Sequence, residues 1–214
     1  KILNCTGLHI SVFTDHLPYP CKFFHDAEAA AQFELWSHPS LKDFIYLNIR
    51  SHLSGALIVN RSSLKGTDLK SGVFEHMTLI PNGRPCYCGR RGCMETYCST
   101  QPLIDVTGHL HTFFEELRKG NRTCQECWNT YLLNLATAIN NLRMFIDYPV
   151  LIGGTLSPYL TEKDIDTLHC YASEKSAFPT EQRFIRQGQN QKALRCEGAA
   201  ISYVKEYLHE IMNL

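Results

Sequence analysis

The sequence predicts an α/β protein in which helices cross over a partly parallel sheet, and three stretches predict it. The apolar runs "DFIYLNI" and "GALIVN" flank the short segment "RSHLS", an arrangement typical of a β-hairpin. The stretch "CQECWNTYLLNLATAINNLRMF" repeats apolar residues every three or four positions, which indicates a long amphipathic helix. The run "YPVLIGG" ends in two glycines, which is typical of a buried parallel strand followed by a tight turn. Strands and helices that alternate in this way form layered α/β folds.

The rest of the chain also alternates between helix and strand patterns. The alanine-rich segment from His25 to Trp36 is predicted to be a helix. Asp26 is predicted as its N-cap, because an Asp side chain accepts hydrogen bonds from the free N–H groups of a first turn. The remaining elements are one or two helices within Glu95–Lys119, a helix over Glu162–Ser173, a strand over Arg183–Ile185 and a closing helix over Lys192–Met212.

Charge and hydropathy exclude several classes of protein. The chain has 214 residues, and 21 Lys and Arg balance 21 Asp and Glu, so no net positive field attracts it to nucleic acid or anionic lipid. No apolar run reaches membrane-spanning length, and Lys1 opens no recognisable signal peptide. We therefore expect a soluble, cytoplasmic protein with no membrane partner. Because the chain starts without Met, we expect it to be a fragment or a processed product.

Ten cysteines are many for a chain of this length. A disulfide scaffold is disfavoured because such scaffolds are short and rich in loops, whereas this chain has long helical patterns. Three of the cysteines fall within eight residues, which favours a metal site. Cys124 and Cys127 form an isolated pair at the start of a helix, which is a weak signal. We expect the seven cysteines outside the cluster to be small core residues.

A histidine joins the three clustered cysteines in the pattern H-x9-C-x-C-x4-C. Three thiolates and one imidazole suit tetrahedral Zn²⁺, and a closed set of four ligands leaves no position for water, so we expect a structural role. Cys98 is a possible substitute ligand, and a reduced cysteine cluster without metal is the alternative. The predicted ligands are His76, Cys86, Cys88 and Cys93.

The stretch "PNGRPCYCGRRGCMETYCS" resembles the CxCGxxGCxE signature of the ROK family (repressors, open reading frames and sugar kinases). The segments "FFHDAEAA", "LIGG" and "GAAISY" match further parts of the family pattern in the right order. The resemblance implies an actin-like, ribonuclease-H-like sugar-kinase fold, of which this chain is the larger C-terminal part with an inserted zinc knuckle at 76–98. It also implies that residues 1–24 end the first lobe, whose remainder we expect to be missing, and that residues 25–214 form the second lobe.

The resemblance further implies roles for four residues at a sugar site. Asp26 matches the base that takes the proton from the sugar hydroxyl, which requires a carboxylate within hydrogen-bond reach. His25 stands where the kinases usually have a sugar-binding Asn. His76 matches the zinc ligand that offers its other ring nitrogen to the sugar, and Glu95 matches an acceptor for ring hydroxyls. Without the resemblance, Asp26 is a helix cap and Glu95 is a first-turn carboxylate.

Two segments depart from the family pattern. Family kinases have a glycine loop, GTGxGxG, that brings backbone N–H groups close to ATP phosphates, whereas this chain has "RSHLSGA". Arg50 and His52 can still contact an anion there. The family's GExGH reads "GVFEH", so Val73 replaces a sugar-binding Glu. In an extended strand Glu75 lies on the same face as Val73, which leaves partial replacement by Glu75 open.

These departures favour a regulator over an enzyme, because a degraded phosphate loop before an intact knuckle is similar to the NagC/Mlc/XylR-type repressors. We therefore expect a non-catalytic effector domain that binds a sugar or sugar derivative, forms a homodimer or homotetramer, carries structural Zn²⁺ and does not bind ATP. DNA would be contacted only through an upstream helix-turn-helix absent from this chain. The alternative is an ATP-dependent kinase for a hexose or amino sugar with Asp26 as base. A third hypothesis is a zinc-stabilised scaffold that binds a partner protein and no sugar.

Overall fold

A mixed β-sheet forms the centre of the protein. The structure, a computed structural model, describes residues 7–68, 72–178, 180–189 and 194–212. Within these residues the sheet has five strands, which are β1 (Phe44–Ile49), β2 (Leu53–Val59), β3 (Ser62–Ser63), β4 (Val150–Gly153) and β5 (Ile185–Gln187).

The strands are arranged in the order β3-β2-β1-β4-β5. β1 pairs antiparallel with β2, with Asn48 opposite Ser54, and β2 pairs antiparallel with β3. β4 pairs parallel with β1, with Asn48 opposite Gly153, and β5 pairs parallel with β4. The predicted hairpin and the predicted buried parallel strand are therefore both confirmed. Because parallel strands end at the same edge of a sheet, the carboxyl ends of β1 and β4 lie side by side.

Helices surround the sheet, and the predicted long amphipathic helix is confirmed as α6. None of the described helices is both long and apolar enough to cross a membrane. The helices in the described part are α1 (Ser11–Thr14), α2 (Asp26–Ser37), α3 (Glu95–Cys98), α4 (Gln101–Thr107), α5 (Leu110–Arg118), α6 (Arg122–Phe145), α7 (Glu162–Lys175) and α8 (Leu194–Met212), with short 3-10 helices at Phe74–His76 and Ser157–Tyr159.

The two faces of the sheet carry different helices. In β1, Ile45, Leu47 and Ile49 face the larger core, to which α6 and α7 contribute. Phe44 and Tyr46 face the smaller core, which contains alanines of α2. This alternation follows from the two-residue period of a strand and places the sheet between two helical layers.

The start of α2 differs from the prediction. His25 has an extended conformation and is the N-cap, without a side-chain capping bond, while Asp26 is the first helical residue. The prediction that Asp26 is the cap is therefore wrong. Its carboxylate accepts the backbone N–H of Ala27 in the first turn of α2 and, in addition, hydrogen bonds from Asn48 and Ser54 of the sheet.

Two other element predictions need correction. The segment Glu95–Lys119 holds three helices rather than one or two, because the chain is extended at Ser99 and has a positive φ of 82° at Gly108. The last strand lies two residues later than predicted, at Ile185–Gln187. The closing helix is confirmed as α8, and the predicted start at Lys192 lies outside the described residues.

The cysteines outside the cluster do not all lie in the core. Cys98 and Cys124 are buried as predicted, and two others are partly buried. The prediction is wrong for Cys170 and Cys196, which are exposed because they lie on outward positions of α7 and α8. Cys5 lies outside the described residues.

The crossing of α2 and α8 depends on a glycine. A Cβ added at Gly198 would lie 1.7 Å from the carbonyl oxygen of Ala29, far closer than two such atoms can approach. The face of α2 that packs into the smaller core holds Leu35 and three alanines, namely Ala27, Ala30 and Ala31, and Ala29 on the same helix is also buried. Small side chains therefore allow the two backbones to approach closely.

Replacing Gly198 with Ala is expected to lower the free energy of unfolding by about 1–3 kcal/mol, because the added methyl group overpacks the crossing. Helix propensity alone predicts the opposite sign, a gain of about 1 kcal/mol. Urea denaturation followed by circular dichroism measures the change. The control, Ala200→Gly at an exposed position of the same helix, is expected to cost about 1 kcal/mol. A stabilised Gly198→Ala variant would contradict the close crossing.

Candidate functional site

The side chains of one histidine and three cysteines between β3 and α3 form a cluster. The Sγ atoms of Cys88 and Cys93 are 3.7 Å apart, and Nδ1 of His76 is 3.8 Å from Sγ of Cys86. Tetrahedral ligands at about 2.0–2.3 Å from Zn²⁺ are separated by about 3.5–3.8 Å, so the spacing suits that geometry. The four ligand atoms all lie within 4.8 Å of one another. The predicted ligands therefore form a cluster that can hold a metal ion.

Two glycines shape the loop that carries the cysteines. Gly89 and Gly92 have φ angles of 86° and 78°, which glycine adopts without steric strain. A Cβ at Gly92 would lie 1.8 Å from the carbonyl oxygen of Ile80, so a larger residue does not fit. The backbone N–H of Cys86 donates to the carbonyl of Arg90 at 2.8 Å and closes the turn. These local contacts bring the thiols together.

Burial sets the protonation preference of three of the four clustered residues. It raises the pKa of Cys86, raises that of Cys93 to about 12 and lowers that of His76. Burial also opposes ionisation of Cys88, but hydrogen bonds from Arg90, Cys86 and Cys93 lower the pKa of Cys88 against this effect. A neutral imidazole can bind a metal directly, but cysteine binds as the thiolate, so a cation must supply the charge that burial opposes. Cys98, the possible substitute ligand, is fully buried at the end of α3 and is not part of this group.

Asp26 is held by one residue from each strand of the β1–β2 hairpin. Its Oδ2 accepts a hydrogen bond from Nδ2 of Asn48 at 2.8 Å, and its Oδ1 accepts one from the Ser54 hydroxyl at 2.9 Å. Asn48 also donates to the Ser54 hydroxyl at 3.0 Å, so the three polar side chains form one network. A carboxylate oxygen accepts more than one hydrogen bond, so Asp26 can also receive a hydroxyl from a ligand.

Glu95 is held by the turn of the same hairpin. Its Oε1 lies 2.8 Å from Nδ1 of His52, and its Oε2 accepts a hydrogen bond from the backbone N–H of Leu53 at 2.7 Å. The residue is buried at the start of α3. His52 was predicted as a possible contact for an anion, but a carboxylate beside it disfavours a phosphate at this ring.

Glu75 adds a third carboxylate to this region. It lies in the 3-10 helix Phe74–His76, so the prediction that Val73 and Glu75 share the face of an extended strand is wrong. Burial, together with the charges of Glu95 and Asp26, raises the pKa of Glu75 to about 7. The charges of Glu95 and Asp26 therefore act on the Glu75 carboxyl group.

Tyr87 lies between two histidines of the site. Its ring centroid is 5.2 Å from that of His52 and 5.2 Å from that of His76, both in edge-on contact. Burial and the charges of Glu95 and Glu75 raise the pKa of its phenol, which therefore stays protonated at neutral pH. An aromatic ring and a hydroxyl donor thus stand beside the cluster and the carboxylates.

Some of these residues were predicted from the sequence and others were not. Asp26, Glu95 and His76 are linked through the contacts above, while His25 is exposed at the N-cap of α2. The role of Asn48 was missed, although a lone polar residue in the apolar run "FIYLNI" is a signal for it. The contacts of Ser54 and Tyr87 have no such signal, because they arise only when distant segments pack.

Comparison with known proteins gives the family. A family model described as "ROK family" matches residues 9–168. The N-acetylmannosamine kinase of Haemophilus influenzae (strain PittGG) is 25% identical over 180 residues, which are 76% of this chain and 60% of that kinase. The chain therefore spans about 60% of the length of the curated relatives it matches over this range.

Solved structures share the fold. The ROK hexokinase from Thermus thermophilus superposes with a TM-score of 0.72 at 20% identity, covering 85% of this chain and 65% of the hexokinase. A ROK family transcriptional regulator, a homolog of the E. coli MLC protein, superposes with a TM-score of 0.70 at 19% identity, covering 82% of this chain and 49% of the regulator. These likenesses confirm a sugar-kinase-like α/β fold.

The relatives correct the functional prediction. The curated proteins that match over 180 residues are named N-acetylmannosamine kinase. The prediction of a non-catalytic regulator domain is therefore wrong, and the alternative of a sugar kinase is favoured. Since the family model covers most of the chain and solved ROK proteins share its fold, the chain belongs to the ROK family.

Proposed function

We propose that this chain is part of a sugar kinase that transfers the γ-phosphoryl group of ATP to a hydroxyl of a hexose or amino sugar. The observation that carries the proposal is the Asp26 carboxylate, fixed by Asn48 and Ser54 beside the buried carboxylates of Glu75 and Glu95. The kinase names of the curated relatives support it. Because the chain spans about 60% of those relatives, the activity is proposed for the full-length protein.

Asp26 is the proposed general base. In phosphoryl transfer, the sugar oxygen forms a bond to the γ-phosphorus, the bond from that phosphorus to the leaving oxygen breaks, and ADP departs. The hydroxyl proton passes to the Asp26 carboxylate, which must lie within hydrogen-bond reach of it. The bonds from Asn48 and Ser54 fix the orientation of this carboxylate before the sugar arrives.

Glu95 and His76 are the proposed sugar-positioning residues. Glu95 is anchored through both oxygens, and each oxygen can accept a further hydrogen bond from a ring hydroxyl. With Nδ1 of His76 facing the cysteine cluster, its Nε2 is left to donate to the sugar. His25, exposed at the N-cap of α2, stays a predicted sugar contact.

The proposed metal is Zn²⁺ in a structural role. Three thiolates and one imidazole are a donor set that Zn²⁺ prefers, and four protein ligands leave no open position for water. Cys93 precedes Glu95 by two residues, and His76 is itself a ligand. A bound ion would therefore hold two sugar-positioning residues in a fixed relation.

The phosphate side of the site departs most from the family pattern. His52 and Ser54 stand at positions where family kinases have glycines, and they contact Glu95 and Asp26. The prediction that ATP is not a ligand rested on this turn, and the transfer assay below tests it. A homodimer or homotetramer, and a lobe boundary after residue 24, stay predictions.

Replacing Asp26 with Asn is expected to lower kcat for phosphoryl transfer by about 10²–10⁴-fold, because the base is lost while the shape of the side chain is kept. The measurement is ADP release by the full-length protein with ATP and each of glucose, mannose, N-acetylglucosamine and N-acetylmannosamine. Sugar affinity, measured by calorimetry, is expected to change far less than kcat.

Asp15→Asn is the matched control, since Asp15 is exposed. It is expected to keep the full rate. Transfer that proceeds equally well in the Asp26→Asn variant would remove Asp26 as the base. Failure of the wild-type protein to phosphorylate any of the four sugars would contradict the kinase proposal.

Replacing Cys88 with Ser is expected to release the metal and to lower the free energy of unfolding by several kcal/mol, because binding of a structural metal contributes directly to folding. Inductively coupled plasma mass spectrometry gives the zinc content, and thermal unfolding gives the stability. Cys170→Ser, at an exposed position outside the cluster, is expected to change neither. An unchanged zinc content in the Cys88→Ser protein would show that the cluster does not hold the ion.

A further inference from the structure

Glu75 has a buried side-chain oxygen without a hydrogen-bond partner in the described part of the chain, close to the carboxylates of the proposed sugar site. The residue is 7% exposed, and its buried Oε2 accepts no hydrogen bond from any of the described residues. Buried polar atoms of folded proteins are nearly always paired, because an unpaired one loses its hydrogen bonds to water without replacement. An exception of this kind calls for an explanation by function.

The neighbours of Glu75 in the chain fix the direction of its side chain. The Phe74 ring lies against β2, where a Cβ added at Gly55 would come within 2.3 Å of it. On the other side, His76 belongs to the cysteine cluster, and the Met77 carbonyl accepts a backbone hydrogen bond of 2.8 Å from the residue before α3. With both sides of the segment held, the buried Glu75 side chain is confined to the interior.

The interior at this point contains the other carboxylates. The charges of Glu95 and Asp26 both act on Glu75, and the charge of Glu75 acts on the phenol of Tyr87. Asp26 and Glu95 each use both oxygens in hydrogen bonds to the β1–β2 hairpin. Oε2 of Glu75 has no such hydrogen bond. Within this group it is therefore the oxygen best able to accept a hydrogen bond from a ligand.

We propose that Glu75 accepts a hydrogen bond from one hydroxyl of the bound sugar and so takes over the role of the family glutamate for which this chain has Val73. The inference rests on the proposed function and deepens it, because it assigns a residue that determines sugar specificity. Val73 itself has no polar side-chain atom. The carboxylate has moved by two residues, and the 3-10 helix in place of a strand brings it inward.

The first test measures sugar affinity rather than turnover. Calorimetry with the full-length protein compares glucose, mannose and N-acetylmannosamine with their monodeoxy analogues, for the wild type and Glu75→Gln. Removal of one particular hydroxyl is expected to weaken wild-type binding by about tenfold to a hundredfold, the range for leaving a buried polar group without its hydrogen-bond partner. Glu75→Gln is expected to weaken the parent sugar similarly and to bind that same analogue no worse than the wild type does.

Glu34→Gln is the matched control. Glu34 is also buried, but its Oε1 is paired with the backbone N–H of Gln189 at 2.6 Å. This variant is expected to keep the wild-type pattern for every sugar. A loss in Glu75→Gln that is equal for all analogues, or no loss at all, would overturn the assignment, because either result shows that no single hydroxyl depends on Glu75.

A second variant covers the case in which Glu75→Gln does not fold. The exchange Val73→Glu with Glu75→Gly restores the GExGH spacing and is expected to bind the parent sugar within about threefold of the wild type, since a carboxylate is again available. Thermal unfolding separates folding from binding. A folded exchange variant with no sugar affinity would count against a shared role for the two positions.

The outcomes also separate this inference from the kinase proposal. Hydroxyl-specific binding through Glu75 without phosphoryl transfer would sustain the role of Glu75 and remove the kinase. Transfer with a KM that Glu75→Gln leaves unchanged for every sugar would sustain the kinase and remove the role of Glu75. Absence of binding to the whole sugar panel would overturn both.

Discussion

The hairpin of β1 and β2 is the constraint on which the candidate site depends. Within seven residues it provides Asn48 and Ser54 to Asp26, and His52 and the Leu53 N–H to Glu95. Both carboxylates come from helix starts that are far from the hairpin in sequence and far from each other. The strand register, with Asn48 opposite Ser54, therefore sets the separation between the proposed base and a proposed sugar-positioning residue. A one-residue slip of β2 would turn Ser54 to the other face of the sheet, away from Asn48.

Local features of the fold could be predicted from the sequence, and non-local ones could not. The hairpin and α6 follow from short-range periodicity, and the four clustered ligands follow from their spacing. The hydrogen bonds of Asp26 to the sheet involve partners 22 and 28 residues away, so its local surroundings suggested only a helix cap. The inward turn of Glu75 depends on the packing of Phe74 against Gly55, a contact that no pattern in "GVFEH" reveals.

The incorrect prediction of a non-catalytic regulator domain has a physical cause in the same hairpin. The missing glycines were interpreted as the loss of a phosphate cradle and hence of catalysis. In the structure, two residues at those positions have another use, because His52 and Ser54 brace carboxylates. The sequence departure at this turn coincides with hydrogen bonds to two carboxylates, so it is not by itself evidence against a kinase. The kinase names of the relatives are what exposed this error.

The close crossing of α2 and α8 has a consequence for how variation in the last helix should be interpreted. Ala29, whose carbonyl oxygen faces Gly198, lies three residues after Asp26 and hence within one helical turn of it. Two backbones in direct contact have no soft side chains between them to absorb a displacement. We therefore expect that a bulkier residue at Gly198 displaces the main chain of α2, and with it Asp26, without contacting any ligand of the candidate site.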